Sequence, residues 1–315
     1  MRTYDVPGDT EESSSGAEPD TFDTSVAHIA RVYNFWLGGW DNYAADREAA
    51  EEVIAAYPTI RASVRAQRAF LGRAVQYLVT EAGIRQFLDI GTGLPSADNT
   101  HEVAQRAAPE SRVVYVDSDP IVLAHARALL TSSSGGATHY VDADLRDTGK
   151  ICEQAAEILD FSSPLAILLV GVLHCIPDTD DPAGIVSTLI DVMPPGSYLV
   201  IAHPASDIHA SQVSTATNRI NPLMADPVTL RTHEQVSGFF DGLDLVEPGL
   251  VQLHRWRPGP EGPVPDGDIA NYGGIAARSE APARAGAAVR GPGGLAADQP
   301  VTTAHTTFPL DFSGV

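Results

Sequence analysis

Apolar residues along the middle of the chain fall into two patterns, short continuous runs and longer runs with a helical period. Between residues 60 and 79, apolar side chains recur about every 3.6 positions, which predicts an amphipathic helix. The apolar run from Leu165 to Ile176 predicts a strand that is buried on both faces. The same patterns predict further strands at 86–90, 112–116, 138–141, 197–202, 243–246, 251–256 and 272–277, and further helices at 47–56, 99–107, 120–130, 151–159, 182–193 and 232–242.

Strands and helices alternate regularly from residue 86 onward, and this alternation predicts an α/β fold. We expect a doubly wound, mostly parallel sheet with helices on both faces, preceded by a helical extension over residues 21–80. Residues 1–20 and 280–315 have little apolar surface to bury and are predicted to be disordered. We therefore expect a single folded domain over residues 21–279. Ligands of such sheets bind beyond the carboxyl ends of the strands.

The charge balance limits the kinds of partner. The chain has 41 acidic and 20 basic residues, a net charge of −21, which disfavours binding to nucleic acid or to an anionic membrane. Its two cysteines, Cys152 and Cys175, show no metal-ligand spacing, so we expect a reduced, cytoplasmic protein without a metal site. The apolar run from Leu165 to Leu173 is too short to cross a bilayer.

Polar residues and glycines collect where the predicted strands end. Gly91 and Gly93 follow the first strand and allow a tight turn with close approach of the backbone to a ligand. Asp117 follows the second strand and is suited to accept both hydroxyls of a ribose. Asp142 and Ala143 follow the third strand, where they can meet the exocyclic amine of a purine. Together these positions predict a site for a nucleoside-type cofactor.

The glycine turn also indicates which nucleoside cofactor fits. A pyrophosphate site would carry a third glycine, but Ser96 stands at that position and Pro95 precedes it. Asp89, just before the turn, suits a cationic amino group better than a phosphate. The sequence therefore favours S-adenosylmethionine, which carries an adenosine, an ammonium and a sulfonium but no phosphate.

Two sets of motifs resemble known proteins. Residues 89–93 and 116–120 resemble motifs I and II of the class I S-adenosylmethionine-dependent methyltransferases. Residues 31–47 resemble the N-terminal signature of an actinobacterial S-adenosyl methyltransferase family, formerly catalogued as a domain of unknown function. This family resemblance extends over about residues 22–279. It implies a class I, Rossmann-like fold with a seven-stranded sheet whose last strand is antiparallel, and S-adenosylmethionine as cofactor, without defining an acceptor.

The N-terminal signature supplies further candidate residues. Arg31, Tyr33 and Asn42 are expected in a flap over the cofactor, with Arg31 meeting its carboxylate; the alternative is a helix packed on the sheet with Arg31 solvated. Ser118 is expected to bind the cofactor beside Asp117. The chain departs from the family pattern at Trp40, where the family often has Lys or His.

The residues after the fourth strand are candidates for the acceptor site. His174 would serve either as a general base or as a wall of the acceptor pocket, and methyl transfer often needs no base because the sulfonium is already activated. His203, after the fifth strand, is a weaker candidate by the same argument. The Ser-, Thr-, Asn- and Pro-rich segment from Ala202 to Leu230 is expected to cover the substrate.

The sequence thus favours a cytoplasmic S-adenosylmethionine-dependent methyltransferase that acts by in-line displacement on an O, N or C atom of a small molecule. Two alternatives remain at this point. A noncatalytic protein that binds S-adenosylmethionine or S-adenosylhomocysteine would keep the same glycines and Asp117. An NAD-dependent oxidoreductase would keep the ribose-binding acid but would carry the pyrophosphate glycine loop that this chain lacks.

Overall fold

The computed structural model describes residues 23–96, 98–129, 135–259 and 267–279, with the side chains of residues 126–129 left aside. The two ends that were predicted to be disordered, residues 1–20 and 280–315, lie outside the described residues.

A single mixed sheet forms the centre of the described chain. Strands β1 to β5 are parallel, and β8 runs antiparallel to β5, in the order β3-β2-β1-β4-β5-β8-β6. The predicted parallel sheet with an antiparallel last strand is therefore confirmed. The strands are Gln86–Ile90 (β1), Arg112–Asp117 (β2), Ala137–Asp142 (β3), Ala166–Val170 (β4), Tyr198–Pro204 (β5), Asp244–Leu245 (β6), Val251–Gln252 (β7) and Asn271–Ala277 (β8).

Within the described residues the sheet has eight strands, where seven were expected. The difference arises at one edge, because β6 and β7 both pair with β8, at its two ends. Five residues, 246–250, separate these two short strands, whereas only Gly274 and Ile275 lie between their partners on β8. The extra residues interrupt the ladder as a bulge does, and split one edge strand into two.

Helices cover both faces of the sheet, as expected of a doubly wound fold. Seven of the helices in the described residues had predicted bounds, which agree with the structure to within a few residues. The helices are Ile29–Leu37 (α1), Ala44–Ala56 (α2), Ile60–Thr80 (α3), Thr100–Ala107 (α4), Pro120–Leu129 (α5), Thr148–Ala155 (α6), Pro182–Asp191 (α7), Ala210–Ile220 (α8) and His233–Gly238 (α9).

The alternation of side chains along the strands produces two cores. On β1, Phe87 belongs to the core that α3 and α4 cover, whereas Leu88 and Ile90 belong to the core under α1, α2, α7 and α8. Val113 and Val114 on β2 divide in the same way. Successive residues of a strand point to opposite faces, so a continuous apolar strand serves both cores.

The fourth strand is shorter than predicted. It ends at Val170, because Gly171 adopts a positive φ of 76° and turns the chain away from the sheet. The rest of the predicted strand, Val172 to Ile176, forms a loop with a short 3-10 turn over Leu173–Cys175. The predicted strand from Leu165 to Ile176 therefore joins a true strand to a buried loop.

One helix is missing from the sequence prediction. The segment from Ala202 to Leu230 contains α8, which packs against α2. Its buried residues Val213, Ala216 and Ile220 do have a helical spacing. The Ser and Thr residues between them mask this spacing, and the hydroxyl of Thr217 donates back to the carbonyl of Val213 over 2.8 Å.

Candidate active site

A cleft of about 470 Å³ opens at the carboxyl ends of β1, β2, β3 and β4. Helix α1 and the following loop to Asp41 form its opposite wall. The structure thus brings together the strand-end positions that the sequence analysis singled out. A volume of this size is typical of sites for small molecules and cofactors.

The glycine turn after β1 is shaped by two close approaches. Gly91 has a φ of 74°, and a Cβ atom there would lie 2.3 Å from Cγ2 of Val172. The amide of Gly91 donates to the carbonyl of Val116 over 2.8 Å, which ties the turn to β2. Gly93 also has a positive φ, 64°, and its amide donates to Oδ2 of Asp117 over 2.9 Å. The two glycines therefore present backbone directly to the cleft.

Asp117 ends β2 and lines the cleft. Its Oδ1 accepts from the amide of Asp119 over 3.0 Å, while Oδ2 accepts from Gly93. A carboxylate offers about four acceptor positions, so two remain for hydroxyl donors in the cleft. Burial raises the pKa of Asp117, and the two backbone hydrogen bonds counteract part of that rise. Ser118 lines the cleft beside it.

Asp89 is a buried carboxyl group on the wall of the cleft. The hydroxyl of Thr100 donates to its Oδ2 over 2.6 Å. Burial raises the pKa of Asp89 to about 6, although the Thr100 hydrogen bond and the charge of Arg68 act in the opposite direction. A cationic ligand near this carboxyl would favour its ionised form.

The third strand end agrees with the prediction at one residue and differs at another. Ala143 is buried and lines the cleft. Asp142 is exposed and is not among the residues that line it, because its side chain leaves the strand on the other side from Ala143. Asp144 does line the cleft, and its carboxylate pairs with Arg146 over 3.0 Å. The predicted role of Asp142 therefore has no support in the geometry.

Helix α1 presents Tyr33 to the cleft, but the structure places Arg31 elsewhere. Arg31 is only 4% exposed, and its Nε donates to Oδ1 of Asp46 over 3.1 Å. Its Nη2 donates to the carbonyl of Val26 over 2.8 Å. Arg31 is thus neither solvated nor turned toward a ligand. It joins α1 to α2, and the position predicted for it as a carboxylate-binding residue is not observed.

Asn42 supports the cleft wall without being part of it. Its amide nitrogen donates to Oδ1 of Asn34 and to the carbonyl of Gly39, over 3.0 Å in each case. Asn34 and Gly39 both line the cleft. Asn42 therefore holds the loop after α1 in place, which differs from the direct cofactor contact that the sequence analysis expected.

Sequence analysis missed Gln67 and Arg68, which lie on α3 and line the cleft. Gln67 is buried, and its Nε2 lies 3.5 Å from the carbonyl of Val170, at the end of β4. It interrupts the apolar stripe between Val64 and Leu71, and a polar residue at a core position was the available signal. Arg68 donates to the carbonyl of Asp98 over 3.1 Å and places a positive charge near Asp89.

A second ion pair connects α1 to the strand-end loops. His28, which precedes α1, lies 2.8 Å from Asp119. Burial lowers the pKa of His28, but the hydrogen bond and the negative charges of Asp119 and Asp117 outweigh this effect, and the pKa is raised overall. Asp119 also accepts from the amide of Ile121 over 2.8 Å, at the start of α5.

His174 lines a second, smaller cavity next to this cleft. Burial and the charge of Arg231 lower the pKa of His174 to about 4. His203 lies beside it with ring centroids 6.3 Å apart, and its Nε2 accepts from Arg231 over 2.9 Å. Burial and the neighbouring His174 lower the pKa of His203 to about 3. Both rings are therefore neutral near pH 7, and Nε2 of His203 already has Arg231 as its hydrogen-bond partner.

The fold and the cleft together define a class of protein, an α/β enzyme that binds a nucleoside cofactor at the strand ends of a doubly wound sheet. The sequence profile of the S-adenosyl methyltransferase family matches residues 15–279. The chain therefore belongs to this family, and it is an S-adenosylmethionine-dependent methyltransferase of class I fold. This finding confirms the predicted family, fold class and cofactor.

Two solved structures are similar over most of the chain. The crystal structure of a DUF574 family protein from Streptomyces avermitilis is 43% identical, with a TM-score of 0.78, over 81% of this chain and 99% of that one. A candidate methyltransferase from Thermobifida fusca is 38% identical, with a TM-score of 0.74, over 82% of this chain and 97% of that one. A comparison with curated proteins gave no match.

Within the described residues, no helix combines the length and the apolar character that crossing a membrane requires. The same residues contain no group of three or more His, Cys, Asp and Glu side chains arranged to hold a metal ion.

Proposed function

We propose that the cleft at the strand ends, called the cofactor cleft from here on, binds S-adenosylmethionine and that the enzyme methylates an O, N or C atom of a small molecule. The observation that carries this proposal is that two buried acids, Asp89 and Asp117, line the same cleft. Asp117 keeps acceptor positions for the ribose hydroxyls, and Asp89 is a buried carboxyl group on the cleft wall whose ionised form a cationic ligand would favour. The cofactor supplies, when bound, a methyl group that its sulfonium activates for in-line displacement.

Each chemical group of the cofactor has a proposed partner among the residues that line the cleft. The proposed partner of the ammonium is Asp89, and the proposed partner of the carboxylate is Arg68, whose fork suits that group. Gly91 and Gly93 let the backbone approach closely. Ala143 and Asp144 lie on the same wall as Asp117 and are proposed to meet the adenine edge. Tyr33 and Asn34 close the cleft from α1.

His174 is better suited to binding than to general-base catalysis. A group with a pKa near 4 is a weak base at neutral pH, and an efficient general base has a pKa close to the working pH. Positioning of the acceptor against an already activated methyl group supplies most of the acceleration. We therefore assign His174 to the acceptor site as a wall residue that can form a hydrogen bond.

Turnover with a methyl-labelled cofactor tests the proposal. The protein would be incubated with labelled S-adenosylmethionine and a panel of phenols, alcohols and aromatic amines, which are uncharged at pH 7, and both S-adenosylhomocysteine and labelled products would be quantified. We expect equal amounts of S-adenosylhomocysteine and methylated product with at least one acceptor. Tight binding of S-adenosylhomocysteine without any product across the panel would contradict transfer to these acceptors and favour a noncatalytic binding protein.

A further inference from the structure

The second cavity lies between the N-terminal helices and α8, and we call it the acceptor cavity. It encloses about 90 Å³. Trp36 on α1, Val53 on α2, Val64 on α3 and Val213 on α8 contribute to its apolar walls. The sequence analysis pointed to this place only through His174 and the segment from Ala202 to Leu230, because the cavity itself depends on the packing of four helices, one of which was not predicted.

The acceptor cavity adjoins the cofactor cleft. Ile29, Tyr33 and Gln67 line both spaces. These three residues therefore form a wall that the two cavities share. A molecule in the acceptor cavity that extends past Tyr33 and Gln67 enters the space that holds the cofactor.

The lining of the acceptor cavity is uncharged. Among its described lining residues there is no Asp, Glu, Lys or Arg. Its polar side chains are mostly satisfied by the protein: the hydroxyl of Tyr57 lies 3.0 Å from that of Ser63, and the hydroxyl of Tyr33 donates to the carbonyl of Val64 over 3.1 Å. An ion placed here would lose its hydration without gaining a counter-charge, which is strongly unfavourable.

His174 is the exception among these polar groups. Its side chain is buried, with the residue only 7% exposed, and Nδ1 has no hydrogen-bond partner within the described structure. A buried polar atom without a partner costs free energy unless a ligand or water satisfies it. The loop that carries His174 is held firmly, because Arg231 donates to the carbonyls of Leu173 and Ile176 over 2.9 and 2.8 Å.

We propose that the acceptor cavity binds the methyl acceptor and selects an uncharged molecule with a compact apolar end and one hydroxyl or amine group that pairs with Nδ1 of His174. The inference rests on the proposed function and goes further by defining the acceptor's chemical class. A cavity of roughly 150 Å³ holds benzene. The smaller volume here accommodates part of one ring, and the remainder of the acceptor extends toward the cofactor.

Binding of three one-ring probes to the full chain loaded with S-adenosylhomocysteine tests this inference. The probes are phenol, benzoate and benzylamine, which are neutral, anionic and cationic at pH 7, and binding is followed by ligand-observed NMR. We expect phenol to bind at least tenfold more tightly than either ion. Equal or tighter binding of benzoate or benzylamine would overturn the inference, and so would an absence of phenol binding.

Two matched substitutions on α8 locate the bound phenol. Ala216→Leu adds volume inside the acceptor cavity, whereas Ser214→Leu adds the same side chain at an exposed position of the same helix. We expect Ala216→Leu to weaken phenol binding at least tenfold and Ser214→Leu to leave it unchanged, with both variants retaining wild-type affinity for S-adenosylhomocysteine. Equal phenol binding by the two variants would place phenol elsewhere and contradict the inference.

Substitutions of His174 test the proposed hydrogen bond. His174→Asn keeps a polar amide near the position of Nδ1, and His174→Phe keeps the ring but removes the polar atom. Phenol affinity should fall about tenfold in His174→Phe and recover in His174→Asn, whereas equal affinity in the two variants would contradict the pairing. A wild-type protein that fails to bind S-adenosylhomocysteine at all would instead overturn the proposed function.

Discussion

The two neighbouring cavities differ in the elements that build them. The cofactor cleft lies at the ends of parallel strands, and it contains acids, glycine turns and a nearby arginine. The acceptor cavity lies between helices α1, α2, α3 and α8, and its described lining carries no charge. The same three residues, Ile29, Tyr33 and Gln67, border both. The molecule thus places a polar site and an apolar site side by side.

This difference follows from the contacts that fix the walls of each cavity. The strand ends are fixed by the register of the sheet, in which Asp89, Tyr115 and Leu168 are neighbours on adjacent strands. The helices of the acceptor cavity are positioned by side-chain contacts, such as the bond from Nε1 of Trp36 to the carbonyl of Ala50. A helix-built cavity can change its lining with fewer consequences for the sheet, which suits a site that determines acceptor choice.

The largest effect on stability is expected for the ion pair that holds α1, because this helix carries Ile29 and Tyr33 of the wall that both cavities share. Arg31→Ala would leave Asp46 without its buried cationic partner and loosen α1 from α2. Breaking a buried ion pair costs about 3–5 kcal/mol of unfolding free energy, and chemical denaturation would measure it. Arg47→Ala removes an exposed arginine from the same region and should cost less than about 1 kcal/mol. Equal stability of the two variants would show that this pair does not fix the shared wall.

The glycine turn offers a sharper test confined to the cofactor cleft. Gly91→Ala introduces both an unfavourable positive φ and a contact of 2.3 Å with Val172. It should lower the unfolding free energy by about 1–3 kcal/mol and weaken cofactor binding. Gly93→Ala has a similar backbone strain, with nothing within 4 Å of its Cβ, and should cost less. If Gly93→Ala proved the more damaging substitution, the close approach at Gly91 would not be what shapes the turn.

The pH dependence of cofactor binding should distinguish the acidic cleft from the neutral cavity. Because the pKa of Asp89 is about 6, its carboxyl is mostly protonated at pH 5 and ionised at pH 7.5. If it pairs with the ammonium, affinity for S-adenosylmethionine should rise up to about tenfold over this range. Calorimetry at several pH values would measure the rise, and Asp89→Asn should remove it. A profile shared by wild type and Asp89→Asn would assign the rise to another group.

The raised pKa of Asp89 also has a consequence for the free protein. The folded state binds this proton more tightly than the unfolded state, whose Asp has a pKa near 3.8. The resulting stabilisation is fully present below about pH 4 and is lost as the pH rises through about 6. Asp89→Asn, which stays neutral, should therefore show a smaller fall in unfolding free energy between pH 4 and pH 7. Chemical denaturation of the wild type and Asp89→Asn at pH 4 and pH 7 would measure the two unfolding free energies.

The smallest effect is expected at the mouth of the cofactor cleft. Trp40 is 93% exposed, so Trp40→Phe should change the unfolding free energy by less than about 0.5 kcal/mol. Trp36 and Trp256 are buried and supply a constant background. Cofactor binding should move the fluorescence emission of the wild type to shorter wavelength as Trp40 becomes covered. The same shift in Trp40→Phe would show that Trp40 does not contact the cofactor.

The contrast between the cavities also explains which parts could be predicted from sequence. Gly91, Gly93 and Asp117 follow strands that local patterns identify, and parallel strand ends converge wherever such strands pair. The roles of Arg31 and Gln67 depend on helix packing instead. Arg31 pairs with Asp46, 15 residues away on another helix, and no local pattern specifies that contact. Asp142 does not line the cleft, because strand alternation, rather than chain position, decides which of Asp142 and Ala143 faces it.

Calorimetric titration of the wild type and Asp117→Ala with S-adenosylmethionine, S-adenosylhomocysteine and NAD tests the central claim most directly. We predict that the wild type binds the first two at micromolar concentration and does not bind NAD. Asp117→Ala should weaken binding roughly 10- to 150-fold, since a charge-assisted hydrogen bond contributes about 1.5–3 kcal/mol. Binding of NAD alone, or undiminished binding of S-adenosylhomocysteine by Asp117→Ala, would contradict the account.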